Sequence, residues 1–289
     1  MRRTITQTIG EAEVSIITDG AVTFTPDLFP GTDPEKIAKL LTASGASEIE
    51  TNFNAVLIRH AGRVILADAG PRDLFGPSCG FLAEGLAELG VTPDQVDTLV
   101  ATHLHPDHVA GMITPDGAAV FPNATLFVTD ADRAFWSEDA NFKGALSGVA
   151  DWAKLAQTVL GAYGDRLETL ADGQEAAPGL SGMALPGHTP GHFGWRLDSG
   201  ADSLVHVGDI VHAPALQVPD PEIAISFDID MDAARITRKR LLDQLAADGA
   251  LFTGGHFLQP AFNRVERAKG GYRLAPERAW RKEAPQVPQ

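Results

Sequence analysis

The chain has 289 residues, with 23 lysines and arginines against 38 aspartates and glutamates, so its formal net charge is −15 at pH 7. Apolar residues make up 44% of the chain, which excludes intrinsic disorder because this is enough apolar surface to build a core. Nucleic-acid binding needs a basic surface, and the acidic balance argues against such a partner. The single cysteine, Cys79, excludes an intramolecular disulfide and a paired-cysteine metal site.

Location and domain organisation follow from the first residues and from the longest uncharged stretch. No apolar segment of secretory length follows the two arginines near the start, and the stretch Ala176–Trp195 contains three prolines. We therefore expect neither an export signal nor a membrane span, and predict a cytoplasmic protein. No linker or repeat divides the sequence, which favours one domain over residues 1–289 with a short flexible tail at 281–289.

The first half of the chain alternates strand and helix patterns. The predicted strands are Val14–Thr18, Ala55–Arg59, Val64–Ala67 and Thr98–Ala101, and the predicted helices are Pro34–Leu41 and Phe81–Leu89. Ala61 and Gly62 lie between two of these strands and predict a hairpin turn. The last strand leads directly into a polar cluster, so side chains that can bind a metal or transfer a proton follow the end of a strand.

The second half begins with a helical insertion near residues 130–162. After it, the predicted elements are strands Gly182–Leu185, Phe193–Leu197, Ser203–Val207 and Ala250–Thr253, and a helix over Met231–Ala247. Asp230 and Gly249 are the start and stop signals of that helix. Its basic residues predict a solvated face paired with neighbouring acids: Arg235, Arg238, Lys239 and Arg240. The alternation predicts an α/β chain.

The strongest chemical signal is the run His103-Leu104-His105-Pro106-Asp107-His108. Side chains two apart on an extended segment point the same way, so His103 and His105 can hold one ion together. Pro106 suits the first position of a helix, whose turn would carry Asp107 and His108 towards a second ion. Imidazole and carboxylate donors at this density predict zinc or a similar divalent metal.

Three further donors follow predicted strands. They are His188 in Gly187-His188-Thr189-Pro190-Gly191-His192, Asp209 after Gly208, and His256 after Gly254-Gly255. Each is weak evidence alone, but together with the first run they supply five histidines and two aspartates, enough for two metals. His192 and His212 lie close in sequence to these donors and are candidates for supporting or pocket-lining positions.

In this order, the motifs resemble the metallo-β-lactamase superfamily of hydrolases, from about Val14 to Leu274. The resemblance implies a four-layer αββα sandwich with two divalent ions, Zn²⁺ being expected. It assigns one ion to His103, His105 and His188, and the other to Asp107, His108 and His256, with Asp209 bridging them. It also implies that Asp68 orients a ligand from behind and that the protein forms a homodimer. An ordinary turn position before Gly70 equally suits Asp68, and both interpretations stay open.

Several segments outside the metal motifs resemble the methyl parathion hydrolase group and its lactonase relatives. These are Leu74-Phe75-Gly76-Pro77, Val120-Phe121-Pro122-Asn123, Phe135-Trp136, Phe142-Lys143-Gly144-Ala145 and Asp220-Pro221 with Ile225-Ser226-Phe227-Asp228. That group lines its active-site mouth with aromatic side chains, which implies pocket positions for Phe75, Trp136 and Phe142. Aromatic residues in helical segments equally suit the core, and both interpretations stay open.

The resemblance implies a small-molecule substrate and hydrolysis of a neutral, hydrophobic ester or lactone, such as an aryl ester or an acyl-homoserine-type lactone, with phosphotriesters as a side activity. A metal-bridging hydroxide would attack the carbonyl, with Asp209 holding the metals and Asp107 moving a proton. Two alternatives remain: a thioesterase of the glyoxalase II type, and a non-catalytic member of the fold that binds metal.

Overall fold

The computed structural model describes residues 3–143, 147–258 and 261–275. Its strands are β1 (Thr4–Ile9), β2 (Ala12–Phe24), β3 (Ile49–His60), β4 (Arg63–Ala67), β5 (Thr98–Val100), β6 (Thr125–Val128), β7 (Leu167–Thr169), β8 (Glu175–Ala177), β9 (Leu180–Ala184), β10 (Phe193–Ser199), β11 (Asp202–His206), β12 (Phe252–Thr253), β13 (Val265–Ala268) and β14 (Gly271–Leu274). Its α-helices are α1 (Pro34–Ser44), α2 (Leu82–Glu88), α3 (Pro106–Val109), α4 (Asp130–Ser137), α5 (Ser147–Tyr163), α6 (Pro214–Gln217) and α7 (Met231–Asp248). The tail predicted at 281–289 lies outside the described residues.

Two sheets form the centre of the molecule. The first has the order β1-β2-β3-β4-β5-β6-β7, antiparallel from β1 to β4 and parallel from β4 to β7. The second has the order β12-β11-β10-β9-β8, antiparallel except where β12 joins β11. β13 and β14 form a separate hairpin. In the described ranges, no helix is long and apolar enough to cross a lipid bilayer.

The first sheet is buried on both faces. Successive residues of a strand point to opposite faces, and β3 divides its side chains accordingly. Val56 and Ile58 share a core with β10 and helix α7, whereas Ala55 and Leu57 pack into a second core with helices α2 and α5. Helices therefore cover the outer faces of two stacked sheets, which confirms the four-layer αββα sandwich.

The local signals in the sequence give the expected elements. Ala61 and Gly62 both have positive φ, 48° and 77°, as a tight hairpin turn between β3 and β4 requires. Asp230 caps α7 by accepting a hydrogen bond from the Ala233 amide, and Gly249 ends this helix in the left-handed region. The region 130–162 is divided: α4 and a 3-10 turn at Asp139–Phe142 precede α5.

One prediction about α7 is wrong for one residue. Arg238 does not lie on a solvated face; it is fully buried and donates to the carbonyl oxygens of Ile210, Pro221 and Ile223. Its guanidinium also lies 3.5 Å from Asp228. Sequence periodicity could not reveal this, because these partners all come from the irregular segment between α6 and α7 and the loop before α6.

Candidate metal centre

The donors of the first run are placed by the end of β5 and the start of α3. His105 is the residue before this helix and has extended backbone angles, φ −68° and ψ 151°, and Pro106 occupies the first turn. The chain therefore turns sharply after His105. His103, His105 and His108 are all buried, whereas the side chain of Asp107 is 17% exposed.

Three imidazoles converge in a first cluster. His188 Nε2 lies 3.1 Å from His103 Nε2 and 2.9 Å from His105 Nδ1. A tetrahedral zinc site with bonds of about 2.0–2.1 Å spaces its nitrogen ligands about 3.3 Å apart. Both distances are close to the spacing of ligands around one divalent cation.

Four donors form a second cluster around Asp209: Asp107, His108, Asp209 and His256. Asp209 Oδ2 lies 3.0 Å from His108 Nε2 and 2.8 Å from His256 Nε2. The same oxygen is 3.7 Å from His103 Nε2 and 3.6 Å from His188 Nε2, so Asp209 lies between the two clusters. Its second oxygen, Oδ1, is buried and has no hydrogen-bond partner among the described residues.

The seven residues singled out as metal ligands in the sequence therefore come together in two adjoining groups, each with the donor types that bind zinc. A buried carboxylate oxygen without a partner is costly unless a cation satisfies it. The donor set fits two neighbouring divalent cations.

Each imidazole at the back of the site is oriented by a hydrogen bond through its other nitrogen. His108 Nδ1 lies 2.9 Å from Asp68 Oδ2, and His188 Nδ1 lies 2.9 Å from Asp228 Oδ1. His256 Nδ1 lies 2.9 Å from the carbonyl oxygen of Asn52. These bonds place the proton on Nδ1 and leave Nε2 free to face a metal.

Asp68 thus contacts His108 as the resemblance implies. The sequence singles out Asp228 only as the end of the segment Ile225-Ser226-Phe227-Asp228, and nothing in that segment indicates that its carboxylate orients a histidine. Asp68 is itself held by the amide and hydroxyl groups of Thr102, 2.9 Å from each.

Comparison with known proteins identifies the family. The model of the metallo-β-lactamase superfamily matches residues 51–256, a range that contains all seven donors. The chain belongs to the metallo-β-lactamase superfamily. A match to a probable metallo-hydrolase of Methanocaldococcus jannaschii has 28% identity over 79 residues; it covers 27% of this chain and 34%, about a third, of that relative.

Solved structures of this superfamily are similar over nearly the whole chain. AidC, described as a dizinc quorum-quenching lactonase in complex with a product, is 26% identical with a TM-score of 0.89, covering 95% of this chain and 97% of AidC. The hydrolase AbOPH is 29% identical with a TM-score of 0.88, covering 96% and 98% of the two chains. The chain thus combines the fold of this superfamily with two clusters of donors suited to divalent metals.

The electrostatics of the superfamily site differ between its two clusters. Burial lowers the pKa of His103 and His188 well below the ordinary range and lowers the pKa of His105 to about 4, so these imidazoles are neutral and can bind a metal. Burial alone would also lower the pKa of His108, but Asp209 and its neighbouring carboxylates raise it well above 6.5. The second cluster therefore concentrates negative charge that a cation would neutralise.

The glycines before the ligands allow close approach of the backbone. Gly187 has φ 130°, and a Cβ there would lie 2.2 Å from the Ala234 amide nitrogen at the start of α7. Gly208 has φ 53°, and a Cβ there would lie 2.3 Å from His192 Nε2. His192 in turn accepts the amide of Asp209 at 2.8 Å, so it supports a ligand through the backbone and directs neither ring nitrogen to a metal.

Aromatic rings border the two donor clusters. Trp152 lies 5.3 Å from His105 and 6.3 Å from Phe227, measured between ring centroids. Phe24 lies 5.8 Å from Phe227 and 6.4 Å from His256. Phe24, Trp152 and Phe227 are only half-buried. We call these three residues the aromatic wall; it gives the centre an apolar border open to solvent.

The three aromatic residues expected at the mouth occupy different places. Phe75 is 43% exposed and stacks on Phe53 at 5.3 Å; Phe53 in turn contacts His256 at 5.7 Å. Trp136 is 1% exposed and packs edge-on to His105 at 5.4 Å, and Phe142 stacks on it at 5.3 Å. Trp136 therefore supports a ligand from within the core.

Proposed function

We propose that the chain hydrolyses neutral lactones and esters with an apolar acyl or aryl group, N-acyl homoserine lactones foremost, using two Zn²⁺ ions. The observation that carries the proposal is the aromatic wall directly beside two donor clusters that share Asp209. An apolar pocket with a few convergent polar groups favours a neutral ligand with an apolar portion over a charged one.

The relatives support this substrate class. AidC was solved with the product N-hexanoyl-L-homoserine, and it is similar to this chain over nearly its whole length. An N-acyl homoserine lactone combines a neutral ring ester with an apolar chain. The ester would lie at the clusters and the chain against the aromatic wall.

The residues of the two clusters have different roles in the proposed reaction. Two divalent cations bound here would supply a water ionised near neutral pH and a Lewis acid for a carbonyl oxygen. Asp209 keeps the two clusters at a fixed separation. Burial alone would raise the pKa of Asp107, but His108 and His256 lower it below its ordinary value, so this partly exposed carboxylate is ionised at neutral pH, as a metal ligand must be.

His212 also faces the reacting space. Its Nε2 lies 3.4 Å from Asp209 Oδ2, and its ring stacks on His256 at 4.9 Å. In this position it can donate a hydrogen bond to a substrate oxygen. The sequence predicts a supporting or pocket-lining position for His212, and its proximity to Asp209 supports a pocket-lining role.

The test is hydrolysis by metal-replete protein of a panel of N-acyl homoserine lactones, aryl esters, a phosphotriester and an acyl-glutathione thioester. We expect ring opening of the lactones, loss of activity on chelation and recovery with Zn²⁺. Asp209→Asn is expected to lower kcat/KM at least about 100-fold, whereas Asp198→Asn, a change at an exposed residue of β10, leaves it unchanged.

Turnover of the thioester alone would overturn the substrate assignment and favour the thioesterase alternative. Two bound metals without turnover of any member of the panel would favour a non-catalytic metal-binding protein. Hydrolysis that survives complete removal of metal would contradict the mechanism.

A further inference from the structure

A buried ion pair lies behind the first cluster. Arg238 of α7 is fully buried, and its Nη2 lies 3.5 Å from Asp228 Oδ2. Its Nη1 donates to the carbonyl oxygens of Pro221 and Ile223 at 3.0 Å and 2.8 Å, and its Nε donates to that of Ile210. The guanidinium therefore holds the residue after Asp209 and the segment leading to Asp228 in one arrangement.

Asp228 links this arrangement to His188 through a hydrogen bond. Its Oδ1 accepts from His188 Nδ1 at 2.9 Å, so the ring can rotate little. Two backbone bonds support the same contact: the amides of Ile229 and Asp230 donate to the carbonyl oxygens of His188 and Gly187 at 3.0 Å and 2.9 Å. As a result, His188 Nε2 is aimed at the two other imidazoles of the first cluster.

The second cluster has its own, separate support. There, His108 is held by Asp68, and the carboxylate of Asp68 is satisfied by neutral donors of Thr102. No contact joins Asp68 to Asp228 or Arg238 in the described part of the chain. The two clusters share Asp209 but are oriented from behind by different carboxylates.

We propose that Asp228 and Arg238 are positioning residues that set the metal affinity of the His103–His105–His188 cluster more strongly than that of the cluster that contains His108. The proposal rests on the proposed function only in requiring that both clusters bind cations. A carboxylate behind a ligating histidine fixes the ring and raises its basicity, and its loss typically costs about 10- to 100-fold in metal affinity.

The experiment measures stepwise metal binding by the metal-free full chain. Zn²⁺ is titrated against a chromophoric competitor, and Co²⁺ absorption reports the geometry of each site. The His105→Ala variant identifies the step that belongs to the first cluster. Asp228→Asn should weaken that step by about 10- to 100-fold and change the other less than about threefold, whereas Asp68→Asn should do the reverse.

Arg238 is tested with two substitutions and a control on the same helix. Arg238→Met should weaken the first-cluster step by about tenfold, and Arg238→Lys, which keeps the charge, should weaken it less. Arg240→Met, at an exposed residue, should change neither step. Circular dichroism confirms that each variant is folded before titration. If Arg238→Met does not fold, the metal affinities of Asp228→Asn and Arg238→Lys test the proposal instead.

Equal weakening of both steps by Asp228→Asn would overturn the proposal, as would affinities unchanged from those of the wild type. Arg238 variants that lower the melting temperature without changing either affinity would limit this residue to a structural role. A wild-type chain that binds no cation would instead refute the proposed function itself. Two normal binding steps without lactone hydrolysis would refute the substrate assignment and leave the positioning roles standing.

Discussion

Replacing Gly255 with alanine tests how closely the backbone approaches the carboxylate of Asp209, a proposed metal ligand. A Cβ at residue 255 would lie 2.6 Å from Asp209 Oδ1 and 2.9 Å from His108 Cε1. The backbone cannot move aside easily, because the Gly255 amide donates to Gly208 at 3.3 Å and its carbonyl accepts from the Asn54 amide at 2.9 Å. The added methyl group must therefore displace the side chains of Asp209 and His108.

The size of the effect follows from that geometry. Ordinary van der Waals contact begins at 3.4 Å, so the carboxylate of Asp209 must shift by about 0.8 Å. A misplacement of about 1 Å at an active site costs about 100-fold in rate, so we expect kcat/KM to fall about 10- to 100-fold, or about 1.4–2.7 kcal/mol. Overpacking should lower the free energy of unfolding by about 1–3 kcal/mol.

The assay compares lactone hydrolysis, metal content and urea unfolding of Gly255→Ala with those of Gly161→Ala. A Cβ at Gly161, which is exposed on α5, meets no atom within 4 Å. The control should keep its kinetics and gain about 0.5–1 kcal/mol in the free energy of unfolding, as expected for glycine to alanine within a helix. Wild-type kcat/KM and metal content in Gly255→Ala would refute the steric argument.

Three further predictions concern the wall and the core. Trp152→Ala should raise KM about tenfold for a decanoyl lactone but less than threefold for a butanoyl lactone, because the longer chain loses more apolar contact. An equal rise in KM for both lactones would contradict the proposed role of the aromatic wall. Tyr163→Phe removes the hydroxyl that donates to the Met112 carbonyl at 2.9 Å and should lower the free energy of unfolding by about 1 kcal/mol with kcat unchanged. Burial raises the pKa of Asp19 to about 6, so the folded state binds this proton more tightly than the unfolded state does. The contribution of protonated Asp19 to the free energy of unfolding is therefore fully present below about pH 4 and is lost as the pH rises through about 6. Urea unfolding across this range should show a decline in wild type that Asp19→Asn lacks.

The sequence alone determined the elements whose signals are local. The hairpin turn at residues 61–62 and both ends of α7 follow from residues adjacent in the chain, which set their own backbone angles. The seven donors were also evident, because His-x-His-x-Asp-His and glycines before single polar residues are dense patterns. Their order along the chain then identified the family and, with it, the αββα sandwich.

Only the tertiary structure decided how the donors are held. Asp228 lies 40 residues from the histidine it orients, and Arg238 appeared to belong to an exposed basic face until the fold buried it. Trp136 and Trp152 both lie in helical segments near the centre, yet one packs in the core and the other borders the opening. Periodicity reports which side of an element is apolar, whereas which atoms meet across the core depends on the packing of distant segments, which a single sequence does not encode locally.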